Sequence, residues 1–260
     1  MSITLKPQFL KVALIAVMIA GMPVSHAKSP AQADKVLRVA FPAPDDGFDM
    51  VKTSNFYSGN IADVIFERLL QYDYLANPVR LVPATAQSLP VIEKNGQVYT
   101  FKIKPGIYFA DDPAFKGKRR ELVAEDYVYA VKRILDPKNH APSFSFIDNK
   151  LLGANALVEQ ANKTGKFDYD APIEGVKALD KYTIQFTLTQ PDYNFPYILA
   201  YSTFGATARE VVEYYKDQLG MHPVGTGPYM LSRYVPRSKI ELIANPDYRG
   251  FVWNFKSTGT

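Results

Sequence analysis

Apolar residues recur at helical spacing in two separate stretches of the chain. Four residues of the first stretch fall on one helical face: Ile61, Val64, Ile65 and Leu69. This spacing predicts a helix over Phe56–Leu70. Ser54 or Asn55 precedes it, and both residue types cap helix N-termini because their side chains accept hydrogen bonds from free backbone N–H groups.

The second stretch predicts a helix over Ala124–Leu135. Glu125 and Asp126 lie in its first turn, where the helix dipole stabilises negative charge. Pro137 ends it, since the residue before a proline is displaced from helical angles. Weaker patterns predict three further helices, over residues 151–163, 195–201 and 208–219.

Short runs of alternating and β-branched residues predict strands. The first would cover Val36–Phe41. An Asn95-Gly96 turn is typical of a hairpin and would join Val91–Glu93 to Val98–Lys104. A further strand begins at Tyr182, and a last pair covers Tyr229–Tyr234 and Lys239–Ala244.

Residues 1–27 are predicted to be a secretory signal peptide. Lys6 and Lys11 precede the apolar run Val12–Met22, and Ser25-His26-Ala27 offers small residues for cleavage. Such a run is too short to span a membrane comfortably. We therefore exclude this segment from the fold, and we expect an exported protein of a Gram-negative bacterium that works in the periplasm.

Composition restricts the class of protein further. The chain has 260 residues, 47% of them hydrophobic, and no cysteine, so it contains neither disulfides nor thiol chemistry. Its net charge is +4, and two of these charges lie in the signal segment. The remaining +2 gives no electrostatic reason to expect binding to nucleic acid.

The sequence carries no recognisable catalytic motif. After the signal segment the only histidines are His140 and His222, and neither belongs to a zinc pattern such as H-E-x-x-H. No G-x-S-x-G elbow occurs, and Gly225-Thr226-Gly227 lacks the third glycine of a dinucleotide loop. We therefore expect a binding protein without a cofactor or metal, not an enzyme. A secreted hydrolase acting on peptide or sugar is the alternative.

The segment His222–Gly250 resembles the family 5 extracellular solute-binding proteins of ABC importers, the peptide- and nickel-type receptors. The resemblance rests on GTGPY, a hairpin, and an NPDYRG end in this order, and it continues through the helix Ala124–Leu135. Arg249 replaces the usual tryptophan, so we expect one weaker packing contact. Val123 replaces the usual capping threonine, which predicts a cost of about 1 kcal/mol.

The resemblance implies an α/β fold: a periplasmic-binding-protein-like type II lobe with a mixed sheet and an α+β subdomain. We expect the first part of lobe I at residues 28–71, the inserted subdomain at 72–175, and the second part of the lobe, with the GTGPY hairpin, at 176–250. Family chains are longer, and their second lobe follows this point. The sequence is therefore expected to be an N-terminal fragment, in which residues 251–260 begin an absent second lobe.

By the same resemblance, ligand meets the first lobe at the loop after the first strand. The residues expected to bind it are Phe41, Pro42, Ala43, Pro44, Asp45, Phe48, Tyr57 and Asn60. The implied role is uptake of a small molecule or, more specifically, an oligopeptide, by a monomer that docks on the membrane permease of an ABC importer. A peptide-binding module outside transport, for example a chemoreceptor partner, remains a further alternative.

Overall fold

The computed structural model describes residues 35–257. The chain divides between Ala40 and Phe41 into two compact units. The predicted signal peptide, residues 1–27, lies outside the described residues. Within the described range, no helix combines the length and the apolar character that a membrane crossing requires.

The second unit contains five α-helices and eight strands among its described residues. The helices are α1 (Phe56–Ile65), α2 (Ala124–Leu135), α3 (Ala154–Thr164), α4 (Phe195–Ile198) and α5 (Arg209–Tyr215). The strands are β1 (Leu70–Tyr72), β2 (Leu81–Pro83), β3 (Val91–Glu93), β4 (Val98–Lys102), β5 (Val176–Asp180), β6 (Thr183–Thr187), β7 (Tyr229–Val235) and β8 (Lys239–Ala244).

A four-stranded sheet of order β3-β4-β6-β5 forms the centre of the main core. Its register places Tyr99 opposite Phe186 and Phe101 opposite Ile184, and all four side chains are buried. Helix α2 packs against β5 and β6. The aromatic rings meet edge to face, as in the Phe101–Phe186 pair at 5.9 Å, which is a favourable ring arrangement.

Two expectations about the sheet are wrong for the described residues. Val36–Phe41 forms no strand, and Val36, Leu37 and Val39 are exposed. All the strand pairings are antiparallel, so the expected mixed sheet is not formed. An alternating segment becomes a strand only when a neighbouring strand pairs with its backbone, and no strand pairs with Val36–Phe41.

Helix α1 is shorter than predicted, because it ends at Ile65 and not at Leu70. Phe66 is already extended, with φ −101° and ψ 129°. The Ile65 carbonyl accepts a hydrogen bond from the Gly227 N–H at 2.8 Å. The end of the helix is therefore fixed by a contact with a segment far along the chain, which helical periodicity does not report.

The two glycines of the Gly225-Thr226-Gly227 corner are required by this close approach. A Cβ on Gly225 would lie 2.0 Å from the Ile65 carbonyl oxygen, and one on Gly227 would lie 2.4 Å from the Val64 oxygen. The exit of the corner is held by Asn245, whose side-chain amide donates to the Gly227 carbonyl at 2.9 Å. The corner thus packs the β7–β8 hairpin directly on the end of α1.

Arg249 connects the hairpin to Glu67, which lies two residues after the end of α1. Its guanidinium donates two hydrogen bonds of 2.7 Å to the Glu67 carboxylate, in the bidentate geometry that is strongest for this pair. The same carboxylate accepts a bond from the Thr226 hydroxyl at 2.9 Å. Where a tryptophan was expected to pack, this chain therefore has an ion pair that links Glu67 to both ends of the hairpin.

Helix α2 begins without a side-chain cap, as Val123 predicted. Asp126 compensates in part, since its carboxylate accepts the Val123 N–H at 2.8 Å. It is also paired with the Arg120 guanidinium at 2.7 Å. Asp126 thus satisfies the N–H of the capping residue, while the Ala124 N–H donates to the Lys181 carbonyl at 2.9 Å.

Glu121, just before α2, joins three segments and has an unusual pKa. Its carboxylate accepts hydrogen bonds from Lys181 at 2.8 Å, from the Gly106 N–H at 2.7 Å and from the Tyr182 hydroxyl at 2.8 Å. The Lys181 bond, followed by the Gly106 N–H, lowers the pKa of Glu121 from 4.5 to about 2. These bonds stabilise the ionised form and therefore the folded state.

We expect this contribution to stability to be present above about pH 4.5 and lost as the pH falls towards 2. The folded protein binds fewer protons than the unfolded chain in that window, so its stability rises with pH there. Urea midpoints of the wild type and Glu121→Gln should differ at neutral pH and converge in acid. A difference that does not change with pH would contradict the assignment.

The remaining boundaries differ from prediction by a few residues. Helix α3 starts later than predicted, and α5 changes into a 3-10 helix over Lys216–Met221. The four-stranded sheet takes β3 and β4 from before, and β5 and β6 from after, the boundary expected at residue 175. The domain boundaries themselves stay predictions.

Candidate functional site

The loop from Phe41 to Pro44 has open backbone groups. Pro42, Ala43 and Pro44 are exposed, and Phe41 is half-buried against Tyr57, with ring centroids 5.0 Å apart. Within the described residues, the backbone N–H and C=O of Ala43 make no hydrogen bond. The loop therefore presents a donor and an acceptor to whatever lies against it.

The residues after this loop hold it in place. Asp45 accepts a hydrogen bond from the Tyr234 hydroxyl of β7 and another, at 3.1 Å, from the Gly47 N–H. Asp46 accepts bonds from the hydroxyls of Thr53 and Ser58, the latter at 2.7 Å. Both carboxylates are thus engaged inside the protein, and the backbone position of the loop is fixed from two sides.

Phe48 has a packing role that differs from the one expected. Its side chain is 1% exposed and lies against the Tyr234 ring at 4.9 Å. Its N–H donates to the Gly220 carbonyl at 2.8 Å. The side chain therefore does not reach the surface of the loop. We assign it to the support of the loop and not to contact with ligand.

The buried pair of Asp49 and Arg133 anchors the chain five residues after the loop. Both hydrogen bonds are formed, at 3.0 and 2.9 Å, and the two side chains are 9% and 6% exposed. Arg133 belongs to the last turn of α2, so the pair connects the loop to the main core. With both partners buried, each charge depends on the other.

The start of α1 forms the second wall of the site. Asn55 caps the helix, as predicted, by accepting the N–H groups of Tyr57 and Ser58 at 2.9 and 3.2 Å. Its side-chain amide also donates to the Pro44 carbonyl at 3.1 Å. One residue thus positions both the helix and the loop.

Aromatic and polar side chains of α1 face outwards beside the loop. Tyr57 is half-buried, Asn60 is exposed, and Phe56 is 72% exposed with its ring 5.5 Å from that of Tyr57. Phe56 and Tyr234 were not predicted as site residues, and Asn55 was predicted only as a helix cap. An aromatic residue at the first position of a helix was the available signal for Phe56, whereas the role of Tyr234 depends on a tertiary contact.

A small cavity, of about 20 Å³, lies beside the residues that follow the loop, Phe48–Val51. Its lining includes the Asp49–Arg133 pair, Phe66 and Thr203. The Thr203 hydroxyl already donates to the Met50 carbonyl at 3.1 Å. Because its polar groups are engaged within the protein, we regard this cavity as an interior packing space.

The two histidines of the described chain lie apart from this loop. His140 is exposed after a short 3-10 helix, with φ 47°. His222 is exposed and stacks on Tyr215 at 4.1 Å. Across residues 35–257, no three His, Cys, Asp or Glu side chains are grouped so that they would hold a metal ion.

The chain is similar to known proteins over most of its length. Residues 80–257 match the model of the bacterial extracellular solute-binding proteins, family 5 Middle. The chain is similar to Di/tripeptide-binding protein 4 of Pseudomonas aeruginosa (strain UCBPP-PA14), with 29% identity over 82% of this chain and 38% of that protein. It is also similar to the probable ABC transporter periplasmic-binding protein SapA of Escherichia coli (strain K12), with 28% identity over 90% of this chain and 42% of that protein.

Among solved structures, the chain resembles Haemophilus influenzae OppA in complex with RPPGFSPFR. The TM-score is 0.65 at 25% identity, over 80% of this chain and 37% of that one. The chain therefore spans about 38–42% of the length of the two curated relatives above.

Proposed function

Because the chain belongs to the bacterial extracellular solute-binding proteins of family 5, we propose that it is the peptide-binding first lobe of the solute-binding subunit of an ABC importer. The family and the type II periplasmic-binding-protein fold, both predicted from the sequence, are confirmed. Family and relatives are binding proteins, which supports a role without chemical conversion. The names of the relatives support peptides as the ligand class.

The observation that carries the proposal is the open backbone of Ala43 in a clamped loop. An extended peptide binds well to such a segment, because its own N–H and C=O groups pair with those of the loop as an added strand would. Backbone pairing tolerates different side chains, as uptake of mixed peptides requires. Since the loop is held by Asp45 and Asp46, little entropy is lost when a ligand orders it.

The other site residues take supporting roles in this proposal. Phe41 and Tyr57 offer a stacked aromatic surface for a ligand side chain, and Asn60 and Phe56 border it. Pro42 and Pro44 restrict the backbone φ angle on each side of Ala43. Asp45 accepts its hydrogen bonds from Tyr234 and Gly47 on Oδ1, and in this proposal its other oxygen faces a ligand amine.

The proposed setting is the periplasm, with the permease of an importer as partner and the energy for transport supplied by its ATPases. We further propose a monomer that uses no cofactor and binds no nucleic acid. The domain boundaries at residues 71, 175 and 250 belong to the same proposal.

Ala43→Pro is expected to weaken peptide binding about fivefold, because it removes the backbone donor. A single hydrogen bond contributes about 1 kcal/mol, and 1.4 kcal/mol is a factor of ten in affinity. The measurement is calorimetric titration of the purified protein with a series of di-, tri- and longer peptides.

Ala43→Ser is the matched control, since it retains the N–H and should bind as the wild type does. Urea unfolding of both variants checks that the loop change leaves the fold intact. Equal affinity of the proline and serine variants would exclude backbone pairing at Ala43. Hydrolysis of the titrated peptides would favour the hydrolase alternative instead.

A further inference from the structure

Soft metal donors are concentrated in one part of the described chain. Thioether and imidazole groups within residues 35–257 occur only at Met50, Met221, Met230, His140 and His222. Three of these five line the same surface cleft: Met221, His222 and Met230. The chain has no cysteine, so no thiol competes with these groups for a soft ion.

The cleft has a volume of about 80 Å³ and lies beside the base of the β7–β8 hairpin. Its floor is formed by Pro223 and Val224, both buried. The Ala110 N–H donates to the Gly225 carbonyl at 2.9 Å and fixes the facing wall. The backbone that carries Met221, His222 and Met230 is therefore held by neighbouring segments and is not a free loop tip.

The imidazole of His222 is held in position before any ion arrives. Its ring lies parallel to that of Tyr215, at 4.1 Å and an interplanar angle of 6°. The Tyr215 hydroxyl in turn donates to the Asp112 carboxylate at 2.9 Å. These contacts fix the plane of the His222 ring, which lines the cleft.

We propose that this cleft binds a soft monovalent cation, Cu(I), through the two thioethers and the imidazole. Thioether sulfur selects Cu(I) over harder divalent ions, and imidazole also suits copper. Asp111 and Asp112 at the rim offset the charge of the ion. The site is separate from Ala43, so it is independent of the proposed peptide binding.

The test is titration of the purified protein with Cu(I) under anaerobic, reducing conditions, in competition with a chromophoric Cu(I) chelator. One equivalent should bind. Met230→Leu and Met221→Leu should each weaken binding by about 10–100-fold or more, since even indirect partners of a metal contribute this much. Leucine nearly conserves the volume of methionine, so both variants should fold.

Met50→Leu and His140→Asn are the controls, because both positions lie outside the cleft, and they should bind Cu(I) as the wild type does. Copper X-ray absorption should show sulfur neighbours at the bound ion. Binding that is unchanged in the Met230 and Met221 variants, a copper shell of oxygen and nitrogen only, or no bound equivalent would each overturn the proposal.

Discussion

Gly225→Ala is expected to lower the free energy of unfolding by at least about 3 kcal/mol, at the upper end of overpacking effects. The new Cβ would lie 2.0 Å from the Ile65 carbonyl oxygen and 2.7 Å from its carbon. Both atoms belong to backbone at the end of α1, so no side-chain rotation relieves the clash. Urea unfolding followed by circular dichroism measures the change.

Gly59→Ala is the matched control for this prediction. Gly59 lies within α1, and a Cβ there would meet no atom within 4 Å. Alanine loses less conformational entropy than glycine in a helix, so this variant should gain about 0.5–1 kcal/mol. A Gly225→Ala protein as stable as the wild type would show that the corner does not pack on α1 as described.

Gly225→Ala should also disturb the proposed ligand-binding loop, which lies far from Gly225 in the sequence. The hairpin that follows the corner carries Tyr234, whose hydroxyl holds Asp45. If the corner moves away from α1, this hydrogen bond is lost and the loop is released. Amide hydrogen exchange of residues 41–47 should therefore accelerate in Gly225→Ala and remain unchanged in Gly59→Ala.

Arg133→Met is expected to lower the free energy of unfolding by about 3–5 kcal/mol, because it leaves the charge of Asp49 buried and unpaired. The arginine donates both hydrogen bonds that the carboxylate receives from this side, at 3.0 and 2.9 Å. The loss should appear as a lower urea midpoint without a change in the denaturant slope.

Two further variants separate the effect of the charge from loss of packing. Arg209→Met removes a side chain that is 43% exposed and pairs with Asp170 and Glu213, and such exposed pairs contribute little. The double variant Asp49→Leu with Arg133→Met replaces the whole pair by apolar groups and should recover most of the lost stability. A double variant as unstable as Arg133→Met alone would assign the loss to packing.

Local patterns predicted the elements whose boundaries are set by their own residues. Helix α2 covers Ala124–Leu135 as predicted, since its charges, apolar stripe and terminal proline agree. Strand β3 also has the predicted bounds, because the Asn95-Gly96 turn fixes its register with β4. The hairpin of β7 and β8 was also predicted: β8 has the predicted bounds, and β7 extends one residue further, to Val235.

The predictions that failed concern segments whose conformation depends on distant residues. Helix α1 ends at Ile65 because Gly227 occupies its last carbonyl, although the apolar spacing continues to Leu69. Val36–Phe41 has a strand-like pattern, and no strand forms there. In both cases the outcome depends on hydrogen bonds to another segment, which form at Ile65 and are missing at Val36–Phe41. The periodicity of apolar residues does not report such bonds.

The candidate site shows the same division. The resemblance placed the loop, and the capping role of Asn55 followed from its residue type. The sequence did not show that Phe48 turns inwards against Tyr234, or that Asp45 is engaged by a hydroxyl 189 positions further along the chain. These contacts engage Phe48 and Asp45 within the protein, whereas the backbone of Ala43 makes no hydrogen bond among the described residues.

The sequence by itself determined the family, the identity of most helices and strands, and the absence of thiol chemistry, because these depend on residue type and spacing. Only the tertiary structure decided where α1 stops, which carboxylates are already occupied, and that Arg249 pairs with Glu67. The reason is physical: hydrogen bonds and ion pairs between distant segments depend on how the chain packs, and packing brings together residues whose spacing along the sequence carries no signal of their contact.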